Sequence, residues 1–232
     1  MVTWVYRFKF VFTVCFIVVS SALQADGSAI DKIYHPYVQP LEREIEWRMV
    51  GADGDHKQRL GLGKSLSDRL FVEGYLIAEE QGDTFRLSAY EIEAKWQLTE
   101  QGEYAIDWGL LTELEKAHKE NEWELATALL MEKEWGRWVG TANLWLKYEW
   151  GDEIKDEIET ALGLQTRYRL SPQFEPALEL YAGQNTRALG PVVMGDVRFT
   201  AGKKLHWETG VLLGLDSKTP GATLRFLAEY EF

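Results

Sequence analysis

Glutamates two residues apart recur along this sequence: Glu42, Glu44 and Glu46, then Glu91 and Glu93, Glu122 and Glu124, Glu132 and Glu134, Glu157 and Glu159, and Glu229 and Glu231. On an extended chain residues i and i+2 point the same way, so each pair sets two carboxylates on one face. Such pairs can gather oxygen ligands around a hard cation, or line a charged, wet or ion-paired surface. No His or Cys ligand spacing accompanies them, and no metal or cofactor site is assigned. The four histidines are His35, His56, His118 and His206. One set in reach of acyl chemistry is His56 with Ser217 and Asp216, provided that the first and last outer loops meet. A nucleophile and its base need rigid hydrogen-bond contact, which loop tips supply poorly. The chain is therefore read as no enzyme, with a lipid hydrolase or transferase as the remotest alternative.

The elements that carry these carboxylates alternate with period two. Leu41, Ile45, Trp47 and Met49 oppose Glu42, Glu44, Glu46 and Arg48; Tyr90, Ile92, Ala94 and Trp96 oppose Glu91, Glu93, Lys95 and Gln97. Tyr104, Ile106, Trp108 and Leu110 oppose Glu103 and Asp107, and Leu224, Phe226, Ala228, Tyr230 and Phe232 oppose Arg225, Glu229 and Glu231. A helix needs apolar residues three and four apart, and these segments lack them. Twelve strands are read, at 41–50, 57–65, 69–79, 84–98, 103–115, 122–135, 138–150, 156–170, 174–183, 193–202, 206–215 and 222–232, with 10–14 as the range. The stretch 184–193 reads as loop. Even-numbered connections read as tight and odd-numbered ones as longer and polar, the sorting that a membrane barrel shows.

Ahead of the strands, Arg7 and Lys9 precede an apolar run from Phe10 to Val19 and small residues near Ala22 and Ala25. That is the layout of a secretory signal, too short to span a bilayer as a helix. We read 1–25 as a cleaved signal peptide, 26–40 as a periplasmic N-terminal segment that includes His35, and 41–232 as the barrel. The one cysteine, Cys15, falls in the leader, so the mature chain has no disulfide. The formal charge of −12 excludes nucleic acid, whose binding needs basic patches.

The chain end Leu224-Arg225-Phe226-Leu227-Ala228-Glu229-Tyr230-Glu231-Phe232 resembles the terminal strand of bacterial outer-membrane β-barrel proteins, in which alternate apolar residues lead to a final Phe. The resemblance covers about ten residues. It implies an outer-membrane location and an assembly signal at Phe226, Tyr230 and Phe232, read by the barrel assembly machinery. The stretch Tyr34-His35-Pro36-Tyr37-Val38 resembles the start of exported barrel proteins, a resemblance that implies no particular activity. The expected fold is an all-β, antiparallel, up-and-down transmembrane barrel. Aromatics near the ends of the apolar faces, at Trp47, Trp96, Trp108, Trp123, Trp135, Trp138, Trp150, Tyr168 and Tyr230, fit the interfacial girdles of such barrels.

With apolar faces on lipid, the charged faces line the interior. The expected lining is Glu44, Glu46, Glu91, Glu93, Lys95, Glu103, Asp107, Glu132, Glu134, Glu157, Glu159, Arg167, Arg169, Arg225 and Glu229. Arg225 is expected to meet Glu44 or Glu46 across the closure. An acid-rich lining implies a narrow, cation-preferring channel or porin-like pore for small polar solutes. A closed structural or interaction barrel is the alternative. Partners are the lipids and lipopolysaccharide of the outer membrane, and the lipid-facing strands leave room for a homo-oligomer.

Overall fold

The computed structural model describes residues 30–81, 84–200 and 202–232; the signal peptide read over 1–25 lies outside them. Twelve antiparallel strands close into one barrel. They are β1 (Arg43–Ala52), β2 (Asp55–Ser67), β3 (Leu70–Gln81), β4 (Thr84–Gln97), β5 (Asp107–Ala117), β6 (Glu122–Trp135), β7 (Trp138–Gly151), β8 (Glu157–Tyr168), β9 (Glu175–Gly183), β10 (Arg187–Thr200), β11 (Lys203–Gly214) and β12 (Ala222–Glu231). Each strand pairs with its sequence neighbour, and β1 pairs with β12 from Glu44↔Glu231 to Ala52↔Thr223, so no edge is left.

The alternation sorts the faces. Leu62, Ile92, Ile158 and Leu224 are more than half exposed on the outside, whereas Glu46, Arg48 and Arg225 are essentially inaccessible on the inside. A soluble barrel has the opposite arrangement, with apolar side chains within and charges without. Open sheets and unpaired backbone cannot sit in lipid, so closure and an apolar exterior belong together.

Three connections differ from the sequence reading. The first hairpin turns tightly at Asp53-Gly54, both at positive φ (54° and 95°), the backbone of a two-residue turn that matches strand twist. The connection 98–106 is long, because β5 starts at Asp107. Glu103, Tyr104 and Ile106 keep the alternating pattern but lie exposed in that loop. The loop is tied by the Asp107 carboxylate, which accepts from the Gly102 N–H at 2.9 Å, and by Thr99 Oγ1, which accepts from the Trp108 N–H at 2.9 Å. Finally, β10 begins at Arg187 rather than 193. Pro191 lacks an N–H and reads as a breaker, yet it pairs with Leu178 on β9, and the ladder to β11 passes over Gly190 and Pro191. Connection length consequently does not separate the two ends.

One end, here the terminal end, holds Arg43 and Phe232, joined by the Phe232 N–H to the Arg43 carbonyl at 2.9 Å. The distal end holds the first hairpin turn. Trp138 and Tyr168 pack at 4.9 Å by the terminal end, and Trp123 stacks on Trp150 at 6.3 Å by the distal end. Trp96 and Trp108 stand at the terminal ends of β4 and β5, Trp135 ends β6, and Tyr230 packs on Phe232 at 5.9 Å. Trp47 sits mid-strand on β1 against Phe226 at 5.4 Å.

Candidate functional site in the barrel interior

Residues 30–38 run inside the barrel. Sequence reading put 26–40, with His35, in a periplasmic arm; the described part of that stretch instead enters at the terminal end and climbs the lumen. Its apolar residues explain the placement, since Ile30, Ile33, Tyr34 and Val38 are all buried and would have met water in a free arm.

The wall holds this segment point by point. Near the terminal end, Gln97 Oε1 accepts from the Val38 N–H at 2.8 Å and Asp107 accepts from the Tyr37 hydroxyl at 2.7 Å. His35 Nδ1 meets the Glu132 carboxylate, which also accepts from Thr141 at 2.9 Å. Higher up, Asn143 clamps Tyr34 on both sides: its Oδ1 accepts from the Tyr34 N–H at 2.7 Å and its amide donates to the Tyr34 carbonyl at 2.8 Å. The Tyr34 hydroxyl donates to Glu93 at 2.8 Å, and its ring packs edge-on against Trp145. These side-chain amides do for the segment what a neighbouring strand would do, satisfying backbone groups that burial would leave orphaned.

Two arginine clusters meet the upper part. Arg48 pairs with Glu46 at 2.6 Å and with the Asp31 carboxylate, and it donates to the Tyr75 hydroxyl at 3.2 Å. Lys32 reaches the second oxygen of Glu46 at 2.5 Å, and Arg59 reaches Glu91 at 2.5 Å. From the adjoining strand β12, Arg225 donates to Glu179 and to Glu208, both at 2.9 Å, and to the Asp31 carbonyl. The sequence expectation of Glu44 or Glu46 for Arg225 is thus corrected to acids on β9 and β11. The reason is direction: Arg225 reaches away from the β1–β12 seam, while Glu46 is engaged by Arg48 and Lys32. His206, which opens the strand expected over 206–215, lies on β11 facing inward, bridging Asp196 at 2.8 Å and Glu208 at 3.1 Å.

The remaining expected lining residues fall in three places. Glu44, Glu91, Glu93 and Glu132 are buried in the interior, with Lys95 over the Phe71 ring at 5.4 Å. Near the terminal rim, Arg169 grips Glu134 through two bonds of 2.8 and 2.6 Å, Arg167 meets Glu175 at 3.0 Å, and carboxylate oxygens of Glu42, Glu229 and Glu231 gather within 4.8 Å. Near the distal rim are Glu157 and Glu159, the latter accepting from Asn185 at 2.9 Å. Glu103 is a loop residue and not a lining one.

The acyl-transfer set does not assemble. Asp216 Oδ1 accepts from the Thr219 hydroxyl at 2.8 Å and from the N–H groups of Thr219 and Lys218. Those bonds, the Thr219 hydroxyl first, hold its carboxyl below the usual range and commit it to its own turn. His56 stands on β2 beside Gly51 of the same hairpin.

Sequence reasoning missed Tyr34, Tyr75, Tyr181 and Asn143. It also treated the inner face as uniformly charged. Midway along β5 and β6 the inner positions are Leu111, Ala126, Ala128 and Leu130, and on β10 and β11 they include Ala188 and Leu212, all fully buried. Tyr34 packs on the first patch, and Ile30 and Ile33 on the second. The available signal was the apolar content of 30–38, which has no use outside a packed interior.

No family model matches the chain and no curated protein matches it. Solved structures do. An outer-membrane channel from Pseudomonas putida F1 aligns with TM-score 0.54 at 14% identity, over 90% of this chain and all of that one. The KdgM porin in complex with disordered oligogalacturonate aligns with TM-score 0.53 at 13% identity, over 82% and 98%. The NanC porin aligns with TM-score 0.53 at 10% identity over the same shares. At these identities the likeness is one of architecture: the chain has the fold of the bacterial outer-membrane β-barrels.

Proposed function

We propose that this protein is an outer-membrane channel for small polar solutes with a narrow, acidic, cation-preferring interior. The observation that carries the reading is the charge balance of the inner wall. Among the described residues, eleven buried carboxylates, from Glu44 to Glu231, stand against three buried guanidiniums, those of Arg48, Arg59 and Arg225. Carboxylates along a passage favour cations and repel anions. The leader-like start and the Phe-ended last strand support delivery to the outer membrane, with the assembly machinery reading Phe226, Tyr230 and Phe232. The neighbouring folds include porins, which supports transport over catalysis.

A second reading, a closed structural barrel, is favoured by one observation: Glu46, Arg48 and Arg225 face the lumen and yet are inaccessible, so the interior is filled at their level.

Single-channel recording in a planar bilayer under a tenfold salt gradient separates the two. The expected result is discrete current steps that reverse on the cation side, with Glu91→Gln plus Glu93→Gln moving the reversal potential toward zero. A reversal on the anion side would refute the selectivity. A folded protein that passes no current under any gating condition would favour the closed barrel.

A further inference from the structure

We infer that residues 30–38 form a built-in plug that closes this channel, and that the plug leaves the lumen as a unit when the channel conducts. The inference rests on the channel reading and adds the gate to it. Four observations carry it.

The first is the mode of attachment. The twelve strands hold one another by backbone ladders, but no residue of 30–38 belongs to a strand. The segment is held by side chains of the wall, through Asn143, Gln97, Glu93, Glu132 and the two arginine clusters. It can therefore come away without unzipping the barrel.

The second is the fit of the wall. A Cβ added at Gly109 would stand 2.9 Å from Pro36 Cα, and one added at Gly163 would stand 2.6 Å from Ile33 Cδ1. These two glycines are sockets cut for the segment. The apolar patches around Leu130 and Leu212 complete the seat, and a water-filled lumen would have no use for them.

The third is a hinge. Leu41 joins the segment to β1 at φ 64°, a left-handed conformation that a non-glycine residue adopts at a cost. It is 91% exposed, so no packing contact repays that strain; what fixes it is the reversal that turns the chain from the wall back into the lumen. The fourth is space beside the hinge: a cavity of about 550 Å³ at the terminal end is lined by Gln39, Pro40, Glu42, Lys204 and Glu231.

The chemistry of the opened state follows. Withdrawal takes Lys32 from Glu46 and the Tyr34 hydroxyl from Glu93. It bares a wall on which Glu91, Glu93 and Glu113 already bring carboxylate oxygens within 4.8 Å of one another. The plug thus closes the passage sterically and also shields part of its acidity.

The test uses the full chain with Cys15→Ser. Pro36→Cys with Gly109→Cys sets the two Cβ positions 3.0 Å apart, close enough for a disulfide after a small shift. In planar bilayers the oxidised pair is expected to be silent, and reduction to restore openings. Tyr34→Ala, which removes both the Glu93 bond and the Trp145 contact, is expected to raise the open fraction at least tenfold. In parallel it should raise labelling of Ile33→Cys by a charged maleimide by a similar factor. Equal currents from the oxidised and reduced pair, with Tyr34→Ala conducting like the unaltered chain, would overturn the plug and leave the channel standing. If labelling rises tenfold and no form conducts, the channel reading itself falls, and the gating role with it.

Discussion

At the scale of single residues, the interior is a set of charges that depend on one another. Arg225 has no exposed side-chain surface and serves Glu179 and Glu208 together. Removing one partner of a buried pair leaves an uncompensated charge, a loss of about 3–5 kcal/mol. Arg225→Met is therefore expected to lower the urea midpoint of the refolded barrel by that equivalent, whereas an exposed pair such as Arg69–Glu100 should matter by less than about 1 kcal/mol. A midpoint unchanged in Arg225→Met would show that the cluster is solvated and its charges independent. The types of these residues were legible in the sequence, because alternation alone assigns Glu46, Arg48 and Arg225 to one face. Their partners were not. Glu208 stands one strand away on β11 and Glu179 three strands away on β9, and period two puts many acids on the inner face without choosing among them. Asn143 illustrates the same limit: a lone amide among apolar residues gains meaning only when the Tyr34 backbone arrives beside it.

At the scale of elements, the strands were readable and their ends were not. Period two places β6 and β7 within a residue of their observed bounds, because the tight turn between them is marked by Gly136, at φ 62°, even though the inner face of β6 is apolar midway at Ala126, Ala128 and Leu130. It runs too far before β5, since the alternation of Glu103 to Ile106 persists although β4, which ends at Gln97, no longer offers them a partner. It starts too late at β10, at 193 instead of Arg187, because Pro191 looks like a breaker but needs only one ladder to spare. The turn at 39–42 is the element with the clearest energetic signature. Left-handed backbone costs a leucine about 1–2 kcal/mol that glycine avoids, partly offset by the greater freedom of glycine in the unfolded chain. Leu41→Gly is expected to stabilise the inserted segment by up to about 1 kcal/mol, and β-branched Leu41→Val to loosen it. Hydrogen exchange at the Tyr34 and Val38 amides reads this directly: slower in the first variant and faster in the second. The reverse order would remove the hinge from the account.

For the whole molecule, one inversion organises everything else. Carboxylates and guanidiniums fill the inside, and leucine, isoleucine and the aromatic pairs face out. From that inversion come the membrane, the need for closure, the polar seat for residues 30–38 and the acidic route proposed for solutes. The inversion was latent in the sequence, since alternation fits an inside-out barrel and an ordinary one equally well. What tipped the reading was the leader-like start, the expected alternation of loop lengths, the length of the strands and the aromatics near the ends of their apolar faces, with the Phe-ended last strand beside them. The loop lengths do not alternate in the structure, and none of these features fixes the contents of the lumen. The direct measurement is electron paramagnetic resonance of spin labels at two adjacent positions of β7. Leu146 points outward and is half exposed, while Lys147 points inward and pairs with Glu124 at 3.2 Å. In lipid vesicles, a label at Leu146→Cys is expected to collide with dissolved oxygen and to be shielded from a water-soluble nickel chelate. A label at Lys147→Cys should show the opposite preference. A label at Leu146→Cys that relaxes with the nickel chelate instead would place the apolar face in water and contradict the inside-out barrel on which every other claim depends.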